Sequence, residues 1–140
     1  MSFVIDQPGA VCLPVSGTDQ QFPVHLLYCV GRNYADHAVE MGSDPDREPP
    51  FFFMKPDYAV LPDNEDMVYP ALSEEVHHEI ELVVALKAGA RDVSPVEAMD
   101  LVFGYAVGID MTRRDLQAEA KAAGKPWEAG KSFKIGRAHV

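Results

Sequence analysis

The stretch from His77 to Gln117 constrains this chain most, because it carries three acids on two apolar, β-prone runs. Glu79 and Glu81 lie in the first run, which continues through Leu82–Leu86 without a polar break. On a strand, positions 79 and 81 point to the same face with Cα atoms about 6.5–7 Å apart, whereas on a helix they would diverge. Asp110 closes the second run, just where a helix is expected to begin.

Three carboxylates brought together repel one another, so at neutral pH they either take up protons or hold a cation. Oxygen ligands suit a hard ion such as Mg²⁺ or Mn²⁺, with Ca²⁺ as a further option, better than they suit zinc. We therefore predict a metal site formed by Glu79, Glu81 and Asp110. The alternative is that Glu79 and Glu81 lie on the solvated face of an ordinary antiparallel strand. The apolar run after Glu81 argues against this, because it predicts a strand covered on both faces.

Length and composition limit the classes of function. A chain of 140 residues with 47% apolar and 24% charged residues is typical of one soluble domain with a sizeable core. The net charge of −10 argues against nucleic acid or an anionic membrane as a partner. Cys12 and Cys29 have no ligand-like spacing, which fits free thiols in a reducing compartment. Without a signal-like start or an apolar segment of membrane length, we expect a cytoplasmic protein.

A candidate general-base pair follows the first long strand, which is expected over residues 24–30. A short helix is predicted from Arg32 to Met41, with Gly42 ending it. His37 and Glu40 are three residues apart and therefore share one face of this helix. The carboxylate would orient the imidazole and raise its pKa, as a general base requires. An ordinary surface contact between helix neighbours explains the same pair.

A second helix is predicted immediately after the second acidic run. Thr112 is expected to be its N-cap, and the helix formers of Arg113–Ala123 continue it up to Gly124. Arg113 and Asp115 are expected to face away from the acids and to serve solubility.

Arg114 and Gln117 lie three residues apart on the same helix and would both point back toward Asp110. The guanidinium of arginine matches a carboxylate with two parallel hydrogen bonds, and the amide of glutamine can donate and accept. We therefore predict that Arg114 and Gln117 face the acidic site.

Two further local patterns have structural consequences. The aromatic run Phe51–Pro56 predicts a strand, and Lys55 at its end either faces a pocket or extends along the surface. Ser94, Pro95 and Glu97 match a capping box with proline at the first helical position, which predicts the start of another helix.

Several motifs occur in an order that resembles the fumarylacetoacetate hydrolase family. They are Gly31–His37, Phe53–Pro56, His78–Leu82, Gly104–Tyr105, Ile109–Gln117, Pro126–Trp127 and Gly130–Phe133. The resemblance runs from about Val24 to Phe133. Within the family, residues 41–51 and 110–117 are most similar to the fumarylpyruvate hydrolases of gentisate breakdown, which are acylpyruvases of aromatic catabolism.

The resemblance implies an α+β fold, a mixed β roll with short peripheral helices. Residues 1–23 would form an N-terminal arm and residues 24–134 part of the catalytic domain. Family members continue with strands that complete the roll, so a chain stopping at Val140 is expected to be incomplete, with open strand edges and unburied apolar faces. Lys134 stands where the family usually has an acid. Residues 135–140 read like a translated sequencing adapter, and we expect an artefactual tail there.

The resemblance also implies roles for the candidate residues. Glu79, Glu81 and Asp110 would be the ligands of Mg²⁺ or Mn²⁺. His37 and Glu40 would activate the water. Arg114, Gln117 and Lys131 would contact the substrate. The substrate would be a small anionic diketo acid that binds the ion through its carboxylate and adjacent keto oxygen. Cleavage of its C–C bond leaves a pyruvate enolate, whose charge the ion and Lys131 would stabilise. Lys131 therefore counts among the catalytic candidates.

The resemblance therefore predicts a C–C bond hydrolase (EC 3.7.1 type) that converts fumarylpyruvate to fumarate and pyruvate, and a homodimer for the full-length protein. Oxaloacetate decarboxylation and dienoate isomerisation are alternatives, because the family supports them with the same metal chemistry. An inactive fragment is the third possibility.

Overall fold

The structure is a computed structural model that describes residues 3–6, 8–31, 50–62 and 65–133. The described part of the chain contains β1 (Val11–Pro14), β2 (Gln21–Val24), β3 (Leu26–Gly31), β4 (Phe51–Pro56), a 3₁₀ turn (Asp57–Ala59), β5 (Val76–Leu86), α1 (Pro95–Met99), β6 (Val102–Arg113), α2 (Arg114–Ala122) and α3 (Glu128–Lys131). The predicted helix over residues 32–41, with His37 and Glu40, lies outside the described residues, as does the tail over residues 135–140. None of the described helices is long and apolar enough to cross a membrane.

The strands form three antiparallel pairs, β1 with β2, β3 with β4, and β5 with β6. Small sheets combined with short helices confirm the predicted α+β class. The strand expected over residues 24–30 is divided at His25, so that residue 24 belongs to β2 while β3 begins at Leu26. The capping box at α1 is confirmed: Ser94 Oγ accepts from the Glu97 amide, and the Glu97 carboxylate accepts from the Ser94 amide at 2.8 Å.

The strand β6 extends further than the sequence predicts. Thr112 pairs with His77 and Arg113 pairs with Val76, so the ladder with β5 continues to the residue immediately before α2. Thr112 is therefore a strand residue, and Arg113 occupies the N-cap position without a side-chain cap. The prediction of Thr112 as the N-cap is wrong because pairing with β5 outweighs the local capping preference of threonine.

The pair β5–β6 has one face that is apolar and exposed. Cross-strand partners in its register share a face, and this face is formed by Ile80, Leu82, Val84, Tyr105, Val107 and Ile109. These side chains are 46–78% exposed. The prediction that β5 is covered on both faces is therefore wrong, because no described element packs against this side. The expected unburied apolar face is present in the described part of the chain, where few hydrophobic residues are fully buried.

The helix α3 is held against both β4 and α2. The ring of Trp127, just before α3, lies 4.9 Å from that of Phe51 and 5.9 Å from that of Phe53. Gly130 packs so closely on α2 that a Cβ atom there would lie 2.9 Å from the Gln117 backbone nitrogen. These contacts fix the backbone that carries Lys131.

We expect Gly130→Ala to lower the free energy of unfolding by about 1–3 kcal/mol, because the added methyl group must displace α3 from the α2 backbone. Gly104→Ala is the matched control, because a Cβ atom at Gly104 meets nothing within 4 Å. Urea denaturation followed by circular dichroism measures the difference. Equal stability of the two variants would show that α3 does not depend on this close approach.

Candidate metal centre

The register of β5 and β6 brings the three predicted acids together. Glu79 pairs directly with Asp110, and Glu81 pairs with Gly108, so the acids share the face opposite the apolar one. One carboxylate oxygen from each of Glu79, Glu81 and Asp110 lies within 4.8 Å of the other two. Asp110 is buried, and the two glutamates are half-buried. Like charges placed opposite each other on a ladder destabilise it unless they are compensated.

The ammonium group of Lys131 compensates two of these carboxylates. It donates to Glu79 Oε2 at 2.6 Å, to Asp110 Oδ2 at 2.7 Å and to Thr112 Oγ1 at 2.7 Å. Lys131 is 2% exposed. A lysine ammonium has three protons to donate, so these acceptors use all of them. A buried charge is stable only when it is paired in this way.

Lys55 approaches the same cluster from β4. Its Nζ lies 2.7 Å from Asp110 Oδ1 and donates to the carbonyls of Met111, at 3.2 Å, and Lys131. The contact with Asp110 is an ion pair without hydrogen-bond geometry, so Oδ1 has no hydrogen-bond donor among the described residues. Of the two alternatives for Lys55, the structure places it facing the cluster rather than along the surface.

Arg114 and Gln117 also face the cluster, as their spacing predicts. The Arg114 guanidinium donates to Gln117 Oε1 at 2.6 Å and forms an ion pair with Glu79 Oε1. Its Nε lies 3.4 Å from His77 Nδ1. Both oxygens of Glu79 are therefore paired, one with Arg114 and one with Lys131.

Asp115 and Arg113 make their contacts away from the three acids, as expected, but a role in solubility alone is wrong. Asp115 accepts from Ser73 Oγ at 2.7 Å and from the Glu74 amide at 2.8 Å, which ties the segment before β5 to the start of α2. The hydrogen bond from Ser73 is the main reason that the pKa of Asp115 is lowered. The Arg113 guanidinium lies 4.2 Å from the centre of the Phe133 ring, a cation–π distance.

The two glutamates are shifted in opposite directions. Burial raises the pKa of Glu79, but the hydrogen bonds from Lys131 and Arg114 outweigh burial, so the net pKa is lowered. Burial raises the pKa of Glu81, and the neighbouring charge of Asp110 raises it further. Among the described residues, no cation forms an ion pair with Glu81. Of the two glutamates, Glu81 is thus the one that more readily takes up a proton.

The donor set fits a hard divalent cation. Three carboxylates from two strands converge, and one oxygen of each lies within 4.8 Å of the other two. Oxygen-only ligands at this spacing suit Mg²⁺, Mn²⁺ or Ca²⁺. Cys29, a free thiol as expected, is not among the residues that converge at this point. Burial above all raises the pKa of its thiol to about 11.

The fold and the acidic cluster define the chain as an α+β domain with a candidate divalent-metal site, and comparisons with known proteins give its family. The family model "Fumarylacetoacetate (FAA) hydrolase C-terminal" matches residues 26–137. The chain therefore belongs to the fumarylacetoacetate hydrolase family, as the resemblance of its motifs predicts.

One similar solved structure is fumarylpyruvate hydrolase from Pseudomonas aeruginosa in complex with Mn²⁺ and pyruvate. It is 50% identical, with a TM-score of 0.90, and the match covers 95% of this chain and 59% of that one. Mitochondrial oxaloacetate tautomerase FAHD1 of Bos taurus is 48% identical over 107 residues, which are 76% of this chain and 48% of that protein. The Arabidopsis thaliana protein of the same name is 46% identical over 105 residues, 75% of this chain and 47% of that protein. The chain thus spans about half the length of these curated relatives.

The sequence pattern does not identify Thr112 as a residue of the site or Gly108 as one that shapes it. It predicts Thr112 as a helix cap, and only the register with β5 shows that Thr112 shares a face with Asp110. For Lys55 the pattern leaves two alternatives open, and only the structure decides between them. Gly108 lies opposite Glu81, and a Cβ atom there would lie 2.7 Å from Val83 Cγ2.

We expect Mg²⁺ affinity to fall as the pH is lowered from about 7.5 to about 5. The reason is that the raised pKa of Glu81 lets a proton compete with the ion for this carboxylate. Isothermal titration calorimetry at each pH measures the affinity. Glu81→Gln should bind Mg²⁺ more weakly at the upper pH and show a shallower pH dependence.

Glu119→Gln is the matched control, because Glu119 is exposed on α2 and stands apart from the cluster. It should retain the full pH dependence. A wild-type affinity that is constant over this range would contradict a role for Glu81 as a ligand.

Proposed function

We propose that this chain provides a divalent-metal-dependent hydrolase site for the C–C bond of an acylpyruvate-type diketo acid, with fumarylpyruvate as the substrate. The observation that carries the proposal is the buried Lys131 ammonium, which lies between Glu79 and Asp110 at 2.6 and 2.7 Å. It places a fixed positive charge beside the oxygens that are suited to an ion. The similar Pseudomonas aeruginosa enzyme in complex with Mn²⁺ and pyruvate supports this reading.

The charge balance of the site suits an anionic substrate. Among the described residues, three carboxylates (Glu79, Glu81 and Asp110) face three cations (Lys55, Lys131 and Arg114), so their formal charges cancel. A divalent ion held by the carboxylates would leave an excess of two positive charges. A diketo acid with two carboxylates carries the matching charge, so these groups would allow it to bind although the protein as a whole has a net charge of −10.

The reaction consumes one water. The bond between the acyl carbon and the methylene carbon of the pyruvate unit breaks; the water oxygen joins the acyl carbon, and a proton joins the methylene carbon. Glu79, Glu81 and Asp110 would hold Mg²⁺ or Mn²⁺, and the chemistry supplied there would be Lewis-acid polarisation of the substrate's oxygens. His37 and Glu40 would take the proton from the attacking water. Lys131 would stabilise the negative charge of the departing pyruvate enolate, while Arg114 and Gln117 would hold the substrate's carboxylate.

Oxaloacetate tautomerisation is a second candidate, because the curated FAHD1 relatives carry that name at 46–48% identity. It shares an enolate with hydrolysis but moves only protons and needs no attacking water. Oxaloacetate decarboxylation and dienoate isomerisation belong to the same group of reactions. A role in gentisate breakdown, a cytoplasmic location and a homodimeric full-length protein all stay predictions.

We expect Glu40→Ala to lower kcat for fumarylpyruvate hydrolysis by about 10²–10⁴-fold, the usual contribution of a general base. Tautomerisation of oxaloacetate should fall far less, because no water is activated. Pyruvate release is measured with lactate dehydrogenase, and tautomerisation by the loss of enol absorbance, both with Mn²⁺ present. Glu119→Ala, on the exposed side of α2, is the control and should match the wild type.

Failure of the wild-type chain to release pyruvate while it tautomerises oxaloacetate would favour the second candidate. Failure of both reactions with Mn²⁺ bound would contradict an active site in this chain.

A further inference from the structure

We propose that Thr112 is a positioning residue that directs the Lys131 ammonium toward the carboxylates, and this inference rests on the proposed function. Thr112 is fully buried, with 0% exposure, on the β6 face that also carries Asp110. Its hydroxyl lies 2.7 Å from Lys131 Nζ. Lys131 is the charged side chain of the site that the Thr112 hydroxyl contacts among the described residues, so we assign its contribution to the site to this contact.

The direction of the hydrogen bonds around Thr112 is fixed. Lysine can only donate, so Thr112 Oγ1 must accept from Lys131. The hydroxyl proton of Thr112 points instead toward the backbone oxygen of Asp110, at 3.4 Å. The hydroxyl is thus oriented with a lone pair toward the ammonium.

The rest of Lys131 is already fixed by its backbone. Gly130 packs against the backbone of α2, and Lys55 donates to the carbonyl of Lys131. The remaining freedom is that of the flexible four-carbon side chain. Thr112 is the third acceptor, after Glu79 and Asp110, so all three N–H bonds of the ammonium have a partner and its orientation is fixed.

A neutral acceptor suits this position. A third carboxylate on the ammonium would add negative charge to a site that must bind an anionic substrate. With an apolar side chain instead, one proton of a buried ammonium would lack an acceptor, and the group would turn to find another. A hydroxyl satisfies the proton without changing the charge of the site.

Thr112→Val removes the hydroxyl and keeps the shape of the side chain, whereas Thr112→Ser keeps the hydroxyl. We expect Thr112→Val to leave Mn²⁺ affinity within about threefold, because no ligand oxygen is lost. Its kcat for fumarylpyruvate should fall at least about tenfold with a smaller change in KM, since the misdirected charge matters most for the enolate. Thr112→Ser should restore kcat to within about threefold of the wild type.

A second readout does not depend on turnover. Oxalate is a planar dianion that places its charge as the pyruvate enolate does, and its binding to the Mn²⁺-loaded protein is measured by calorimetry. Thr112→Val should weaken oxalate binding about tenfold. In a Lys131→Met background, Thr112→Val should cause no further loss, because Thr112 acts through Lys131.

Three results would overturn the proposal: unchanged oxalate binding in Thr112→Val, equal losses in Thr112→Val and Thr112→Ser, or a full additional loss in the Lys131→Met background. Because oxalate binding requires no reaction, it tests the role of Thr112 even if fumarylpyruvate is not turned over. Absence of turnover with intact, Thr112-dependent oxalate binding would count against the proposed function alone.

Discussion

The site depends on one electrostatic constraint: the antiparallel register of β5 and β6 places Glu79 directly opposite Asp110. Two carboxylates in that position repel each other, and burial of Asp110 increases the cost. Lys131 relieves the repulsion because its single ammonium donates to both acids. The position of α3, which carries Lys131, is therefore as important to the acid cluster as the two strands that carry the acids.

The surrounding packing follows from the need to hold that ammonium in place. Trp127 rests on the phenyl rings of β4, Gly130 rests on α2, and Lys55 reaches from β4 to Asp110 and to the backbone of Lys131. Three separate elements thus converge on one end of the β5–β6 pair. The opposite face of that pair is apolar and exposed. The ion pairs and hydrogen bonds of the acid cluster therefore lie on one face only.

That the acids share one face of the sheet could be predicted from the sequence, because side chains on a strand alternate between the two faces with a period of two residues. Glu79 and Glu81 had to share a face once β5 was recognised, and helical spacing placed Arg114 beside Gln117. Whether another element packs against β5 could not be predicted in the same way. An apolar run indicates that burial is favourable, but it does not show that a second element is present to cover it. The apolar side of β5–β6 is accordingly exposed in the described part of the chain.

Residues whose role depends on register were harder to predict. Thr112 fits a helix cap by local chemistry, and only pairing with His77 makes it a strand residue beside Asp110. Lys55 is 55 residues from Asp110 along the chain, and no local pattern specifies the ion pair between them. The water-activating pair His37 and Glu40 stays a prediction, because both residues lie outside the described part of the chain.

The central claim is that acids on two neighbouring strands share one divalent ion. Electron paramagnetic resonance of Mn²⁺ titrated into the full chain tests it most directly, because free and bound Mn²⁺ give different signals. We predict one saturable site per chain in the wild type and loss of that site in Asp110→Asn, which keeps the shape of the side chain and removes its charge. Mn²⁺ binding that does not saturate, or that is unchanged in Asp110→Asn, would contradict the claim.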